Sequence, residues 1–152
     1  MAGRERNRFL LCEVISERNL NSKISPERIL AAFRQSVQTF WGELGVGTVG
    51  ALSKIVASFV DFSGHFIARV PSLYLSQALT AFSGMIDISS RPVTVRVLVV
   101  SGRLKKIADE TVNRILWWRN GLSMDYSVPR KEILDTGVRK AIQELLSLPA
   151  YA

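Results

Sequence analysis

The segment VTVRVLVV, Val93–Val100, does most to constrain this chain. It is rich in β-branched residues, which suit a pleated and largely buried strand. A strand like this needs partner strands, and a regular helix is a poor home for it. It runs directly into Ser101-Gly102 and then into Arg103, Lys105 and Lys106. The spacing predicts a helix from Arg103 to about Arg119, so cations stand where the helix dipole favours anions.

The partner strands lie upstream. FLLCEVIS, Phe9–Ser16, is short, apolar and bounded by polar residues, as a buried strand should be. After the loop ERNLNSK, Ser25-Pro26-Glu27 opens a helix, with Ser as N-cap and Pro at the first helical position. Ile29, Leu30, Phe33, Val37 and Phe40 or Trp41 recur on one face of it, and it ends near Gly42 to Gly45. Ala51–Phe62 reads as a strand, Ser63-Gly64 as a turn and His65–Val70 as the returning strand of a hairpin. Pro71 begins a second helix, with Leu75, Ala78, Leu79 and Phe82 as its apolar face. Arg91-Pro92 breaks the chain before the last strand. Beyond the basic helix, Gly121–Ser127 reads as a loop and Val128–Leu148 as a final amphipathic helix.

The order strand, helix, strand, strand, helix, strand is the split βαβ, ferredoxin-like pattern. The expected architecture is an α+β sandwich with a four-stranded antiparallel sheet in spatial order 4-1-3-2 and appended C-terminal helices. Residues 1–122 form the RRM-like domain, and residues 123–152 a helical extension that packs on it. In this topology the start of strand one lies beside the end of strand four. Period-two alternation puts Phe9, Leu11, Glu13 and Ile15 on one face, with Thr94, Arg96, Leu98 and Val100 beside them. If Glu13 opposes Arg96, Arg8 falls opposite Ser101, and Arg69 could flank Glu13 from the other side. That face is too apolar to lie bare, so the extra helices or a partner protein should cover it.

Charge follows the same geometry. The net charge is +7. Arg4, Arg6 and Arg8 against Glu5, together with the basic surplus of residues 91–119, account for all of it. Topology merges these distant segments into one basic patch, which points to a polyanionic partner. The single Cys12 excludes an internal disulfide and fits a reducing, intracellular setting. No apolar run reaches the length of about 20 residues that spans a bilayer.

Other motifs carry less. GVGTVG, Gly45–Gly50, matches G-x-G-x-x-G, but it follows a helix and opens a strand, the reverse of a dinucleotide site. FVDF, Phe59–Phe62, matches only the end of the RNP1 pattern and falls on the second strand. Cys12 looks buried, where thiols are inert, and no third group is evident to orient a Cys12–His65 pair. The acidic residues are scattered, so no metal cage is readable. At the exit from the last strand, however, unpaired helix N–H groups, the Ser101 hydroxyl, the bare backbone of Gly102 and the cations Arg103 and Lys106 together suit a phosphate. A bound phosphate would offset the misplaced charge.

RFLLCEV, then FWGELG closing the first helix, FSGHFIARV at the hairpin, QALTAF on the second helix and RVLVVSGRLKK occur in order. In this the chain resembles the ribonuclease P protein component 2 family of archaeal ribonuclease P and eukaryotic ribonucleases P and MRP, over about Arg6 to Arg114. The resemblance implies an RRM-like fold and an RNA-binding subunit that supports a catalytic RNA in removing the 5′ leader of precursor tRNA. It implies no cofactor on this chain and Mg2+ at the RNA active site. It implies as partners the ribonuclease P RNA with its precursor tRNA, the barrel-shaped component 3 protein, often in two-plus-two assemblies, and other ribonuclease P proteins. Location would be cytoplasmic in an archaeon, toward which the excess of Arg over Lys leans, and nuclear or nucleolar in a eukaryote. The RNA-facing elements carry over to Arg6, Arg8, Arg69, Ser101, Gly102, Lys105 and Lys106; charge and helical position add Arg103 and Arg114. Arg103 departs from the small residue common at its position, and the turn at Phe62–His65 looks shortened. A rival reading is a ferredoxin-like regulatory or ligand-binding module that dimerises through its sheet and binds no RNA.

Overall fold

Four strands hold the molecule together: β1 (Asn7–Ile15), β2 (Lys54–Phe59), β3 (His65–Pro71) and, last in the chain, β6 (Thr94–Ser101). They form one antiparallel sheet in the order β2-β3-β1-β6, the 4-1-3-2 arrangement that the element order predicts. The computed structural model describes residues 7–16, 24–60, 64–123 and 143–148. The predicted loop at residues 17–23, the hairpin tip at residues 61–63 and most of the predicted last helix lie outside them.

Helices α1 (Pro26–Gly45) and α2 (Leu75–Ser83) pack on one face of the sheet. The Ser25 hydroxyl caps α1 by accepting from the Arg28 N–H, and Pro26 occupies the first turn, where its missing N–H costs nothing. Ile29, Phe33 and Val37 of α1 are buried, whereas Phe40 and Trp41 are 48% and 37% exposed, so the apolar stripe leaves the core at its end. The core beneath joins Leu10, Cys12 and Val14 of β1 to Phe66, Ala68 and Val70 of β3. Phe33 stacks on Phe82 of α2 with ring centroids 4.1 Å apart, and Phe66 meets Phe82 at 5.7 Å.

The opposite face carries α3 (Leu104–Ser123). Leu104, Ile107, Ala108, Thr111 and Ile115 are buried as the helical spacing predicts. They meet Leu11, Phe59 and Ile67 of the sheet, and Leu145 and Leu148 complete the layer. The expectation that C-terminal elements cover this face is met. Residues Gly121–Ser123, read from sequence as loop, continue α3.

Several boundaries differ from the sequence reading. Gly42 adopts φ 67° and ψ −158°, a backbone that strains any residue with a Cβ, and it interrupts α1 where FWGELG was expected to close it. GVGTVG does not open a strand: Val46–Gly50 winds as a π-helical turn, held by Arg34 Nε donating to the Gly50 carbonyl at 3.1 Å. Strand β2 therefore begins at Lys54 rather than Ala51 and ends at Phe59. Pro71 closes β3, and a 3-10 turn at Ser72–Tyr74 precedes α2. The break before the last strand is a miniature hairpin, β4 (Asp87–Ile88) and β5 (Arg91–Pro92), turning through Ser89 and Ser90 at φ 53° and 65°.

Candidate nucleic-acid interface

The sequence placed Glu13 opposite Arg96, and there it lies. Arg96 Nη2 donates to Glu13 Oε2 at 2.8 Å, with the arginine side chain 61% exposed. From that pair the alternation predicts Arg8 opposite Ser101, but the register slips between Leu11 and Cys12, and Phe9 opposes Ser101 instead. The cause is a β-bulge: Leu98 and Val99 both fill the α3 side, next to Leu11. Val100 consequently leaves that face, pairs with Leu10 and is 40% exposed. Arg69 also differs from expectation. It does not flank Glu13, whose β3 neighbour is His65; Arg69 lies opposite Phe9, at the basic end of the sheet.

The basic corner is built from the start of β1 and the exit of β6. A Cβ added to Gly102 would stand 3.5 Å from Arg8 Nη1, so the guanidinium rests against this bare backbone. Ser101 Oγ accepts from the Arg103 N–H at 3.1 Å, which leaves the hydroxyl proton available to donate outward. The Arg103 carbonyl takes the first helical hydrogen bond, from Ile107 N, making Arg103 the N-cap of α3. Arginine cannot accept a hydrogen bond, so the following N–H groups get no side-chain cap from that position. Arg103, Lys105 and Lys106 are exposed around this end.

The structure thus brings Arg8, Arg69, Ser101, Gly102, Arg103, Lys105 and Lys106 to one end of the molecule. Arg114 stands ten residues beyond Leu104 on α3, roughly 15 Å along the axis at 1.5 Å per residue, and does not join the corner. Arg6 lies outside the described residues, as do the side chains of Trp117 and Trp118. Sequence reasoning missed Lys54, which pairs directly with Arg69 across β2 and β3. Like charges opposite one another in a hairpin would have been the signal, had the register been known.

Nothing else in the described part competes as a site. Burial pushes the Cys12 thiol well above its ordinary range, which leaves it an unreactive core residue. Among the described residues, no group of three His, Cys, Asp or Glu side chains could hold a metal ion, and no helix is long and apolar enough to cross a membrane.

A family model described as Rpp14/Pop5 matches residues 8–112, from the arginine at the basic corner into the middle of α3. The chain belongs to the Rpp14/Pop5 family. This agrees with the resemblance drawn from the motifs, since the family is that of ribonuclease P and MRP protein subunits. Among solved structures, a chain of the yeast ribonuclease MRP cryo-EM structure is similar, with a TM-score of 0.54 and 14% identity over 66% of this chain and 76% of that one. At that identity the likeness concerns the fold, which is the RRM-like α+β sandwich expected for an Rpp14/Pop5 protein. A search of curated proteins returns no match.

Proposed function

We propose that this Rpp14/Pop5 protein is an RNA-binding scaffold subunit of ribonuclease P, supporting the catalytic RNA as it removes the 5′ leader of precursor tRNA. The observation that carries this reading is the basic corner. Two segments far apart in sequence meet there, with Arg8 against the backbone of Gly102 and Arg103, Lys105 and Lys106 exposed around the start of α3. A phosphate bound there would meet the positive end of the helix dipole and offset the like-charge cost of the first turn. Family membership supports the assignment to such a particle, and the fold it shares with a ribonuclease MRP chain is consistent with it.

In this reading the cleavage chemistry and its Mg2+ belong to the RNA, and the protein neutralises and orients phosphates. The proposed protein partner is the barrel-shaped component 3, in a two-plus-two assembly. Exposed Phe40, Trp41 and Leu44 on α1 offer it apolar area. The rival reading, a module that dimerises through its sheet, would have to use a sheet edge, β2 or β6, because α1 and α2 pack on one face and α3 on the other.

Changing Arg103, Lys105 and Lys106 together to Ala should lower the slope of log K against log salt for RNA binding by roughly 2 to 3, at about 0.7 to 0.9 per phosphate contact. The fold should be unchanged by circular dichroism. An unaltered slope would overturn the phosphate role of the corner. The protein should also support precursor-tRNA cleavage only together with its RNA and partner subunit; cleavage by the protein alone would overturn the scaffold reading.

A further inference from the structure

Both edge strands of the sheet carry a β-bulge, and the two bulges sit at the same level. On β6 the doubled residues are Leu98 and Val99, next to Leu11. On β2 the register slips between Ile55 and Ala57, so Val56 and Ala57 both fill the α3 side, next to Ile67. Leu11 and Ile67 are themselves paired across β1 and β3. Bulges re-aim the side chains beyond them. With regular pairing, Ser101 would oppose Arg8 and Lys54 would oppose Val70, both toward α1 and α2. With the bulges, each turns to the α3 side. The result is one continuous row on that side: Lys54, Arg69, Phe9 and Ser101, each directly opposite the next.

This row has a cost and no evident structural return. Lys54 opposes Arg69, a like-charge pair that destabilises a sheet. Among the described residues neither forms an ion pair, and Arg69 Nε is buried without a hydrogen-bond partner. Phe9, between this pair and Ser101, is half-buried: it packs on the edge of the α3 core without being fully covered. Three inter-strand steps of about 4.8 Å make the row roughly 14 Å long, ending where α3 begins.

We propose that this row holds a short single-stranded stretch of RNA, with one phosphate on Lys54 and Arg69, a base against Phe9, and the next phosphates at Ser101 and the start of α3. The inference rests on the RNA-binding reading above and adds to it the class of RNA and a second phosphate point. Arginine suits the first point because its planar N–H groups can grip a phosphate oxygen pair. An aromatic side chain between two cationic points suits an unpaired base, whose face is free to stack; the bases of a duplex offer no free face.

The test uses the full chain, a series of oligouridylates of increasing length and a blunt RNA duplex, with binding read by fluorescence anisotropy across a salt series. Lys54→Gln should reduce the single-strand salt slope by about 0.7. Phe9→Leu should weaken single-strand binding by about 5-fold or more with the slope unchanged, as loss of base stacking predicts. Neither change should alter duplex binding. Lys54 is exposed, so its variant keeps the test decisive even if Phe9→Leu unfolds. A wild-type protein that binds oligouridylate with a slope identical to Lys54→Gln overturns this inference alone. Equal losses on single strand and duplex would also overturn it, since the row would then serve any polyanion. A wild-type chain with no salt-dependent RNA binding overturns the functional reading itself.

Discussion

The two faces of the sheet are made from the same strands and do opposite work. Toward α1 and α2, beyond Arg8 at the end of β1, the strands β1 and β3 present Leu10, Cys12, Val14, Phe66, Ala68 and Val70, all buried and all apolar. Toward α3 the same strands present Phe9, Leu11, Glu13, His65, Ile67 and Arg69. Only the middle of that series, Leu11 and Ile67, is a purely apolar core. Its two ends carry charge: Glu13 with Arg96 at one, Arg69 with Lys54 at the other. One face is therefore given to stability. The other has a thin core between polar ends, which leaves side chains free to meet a partner at the basic end.

The largest test of that contrast is Phe66→Ala. It removes a fully buried ring that touches Phe82, and should cost about 3 to 5 kcal/mol in denaturant unfolding. A loss below about 1 kcal/mol would mean that the α1/α2 layer is not the anchoring core. Next comes Ser36→Ala. The Ser36 hydroxyl is buried and donates to the Ala81 carbonyl at 2.7 Å, tying α1 to α2. Its removal should cost about 1 kcal/mol, the usual net worth of such a bond, with little dependence on salt.

On the α3 face the corresponding losses should be smaller. Glu13→Gln removes the ion pair with the largely exposed Arg96, and should cost between about 0.2 and 1 kcal/mol, shrinking as salt is added. A larger, salt-insensitive loss would show that this end is a buried core after all. The smallest effect should have the opposite sign. Lys54→Gln relieves the pairing with Arg69 and should stabilise the free protein by a few tenths of a kcal/mol (~0.2 to 0.5) at low salt, measured as a rise in melting temperature. Stability gained together with RNA affinity lost would mark Lys54 as a residue kept for binding.

The sequence was most legible where one local rule decided the outcome. Ser25-Pro26 starts α1 because a side-chain acceptor and a missing N–H suit a helix entrance. Alternation put Glu13 beside Arg96, because strand period and charge agree there. It was least legible where a local rule met a tertiary demand. GVGTVG reads as the opening of a strand, yet Val46–Gly50 is wound into a π-helical turn on which Arg34 closes from α1. Phe40 and Trp41 continue the apolar period of α1 past the end of the core that the period implies.

The candidate site divides along the same line. Element order alone determined that the arginine end of β1 meets the Ser-Gly exit of β6, because the split βαβ topology places those ends side by side. The motifs pointed to a ribonuclease P protein family, and the Rpp14/Pop5 match over residues 8–112 agrees with them. Only the tertiary structure decided which side chains stand together at that end. Neither SKIVAS nor RVLVVS contains a glycine or any other mark of a bulge; both read as uninterrupted strands. The extra residue on each edge strand is set by packing, since α3 needs Val56 with Ala57 on one side of Leu11 and Ile67, and Leu98 with Val99 on the other. Each slip is one residue, and because side chains alternate with period two, one residue is enough to turn Lys54 and Ser101 to the other face of the sheet.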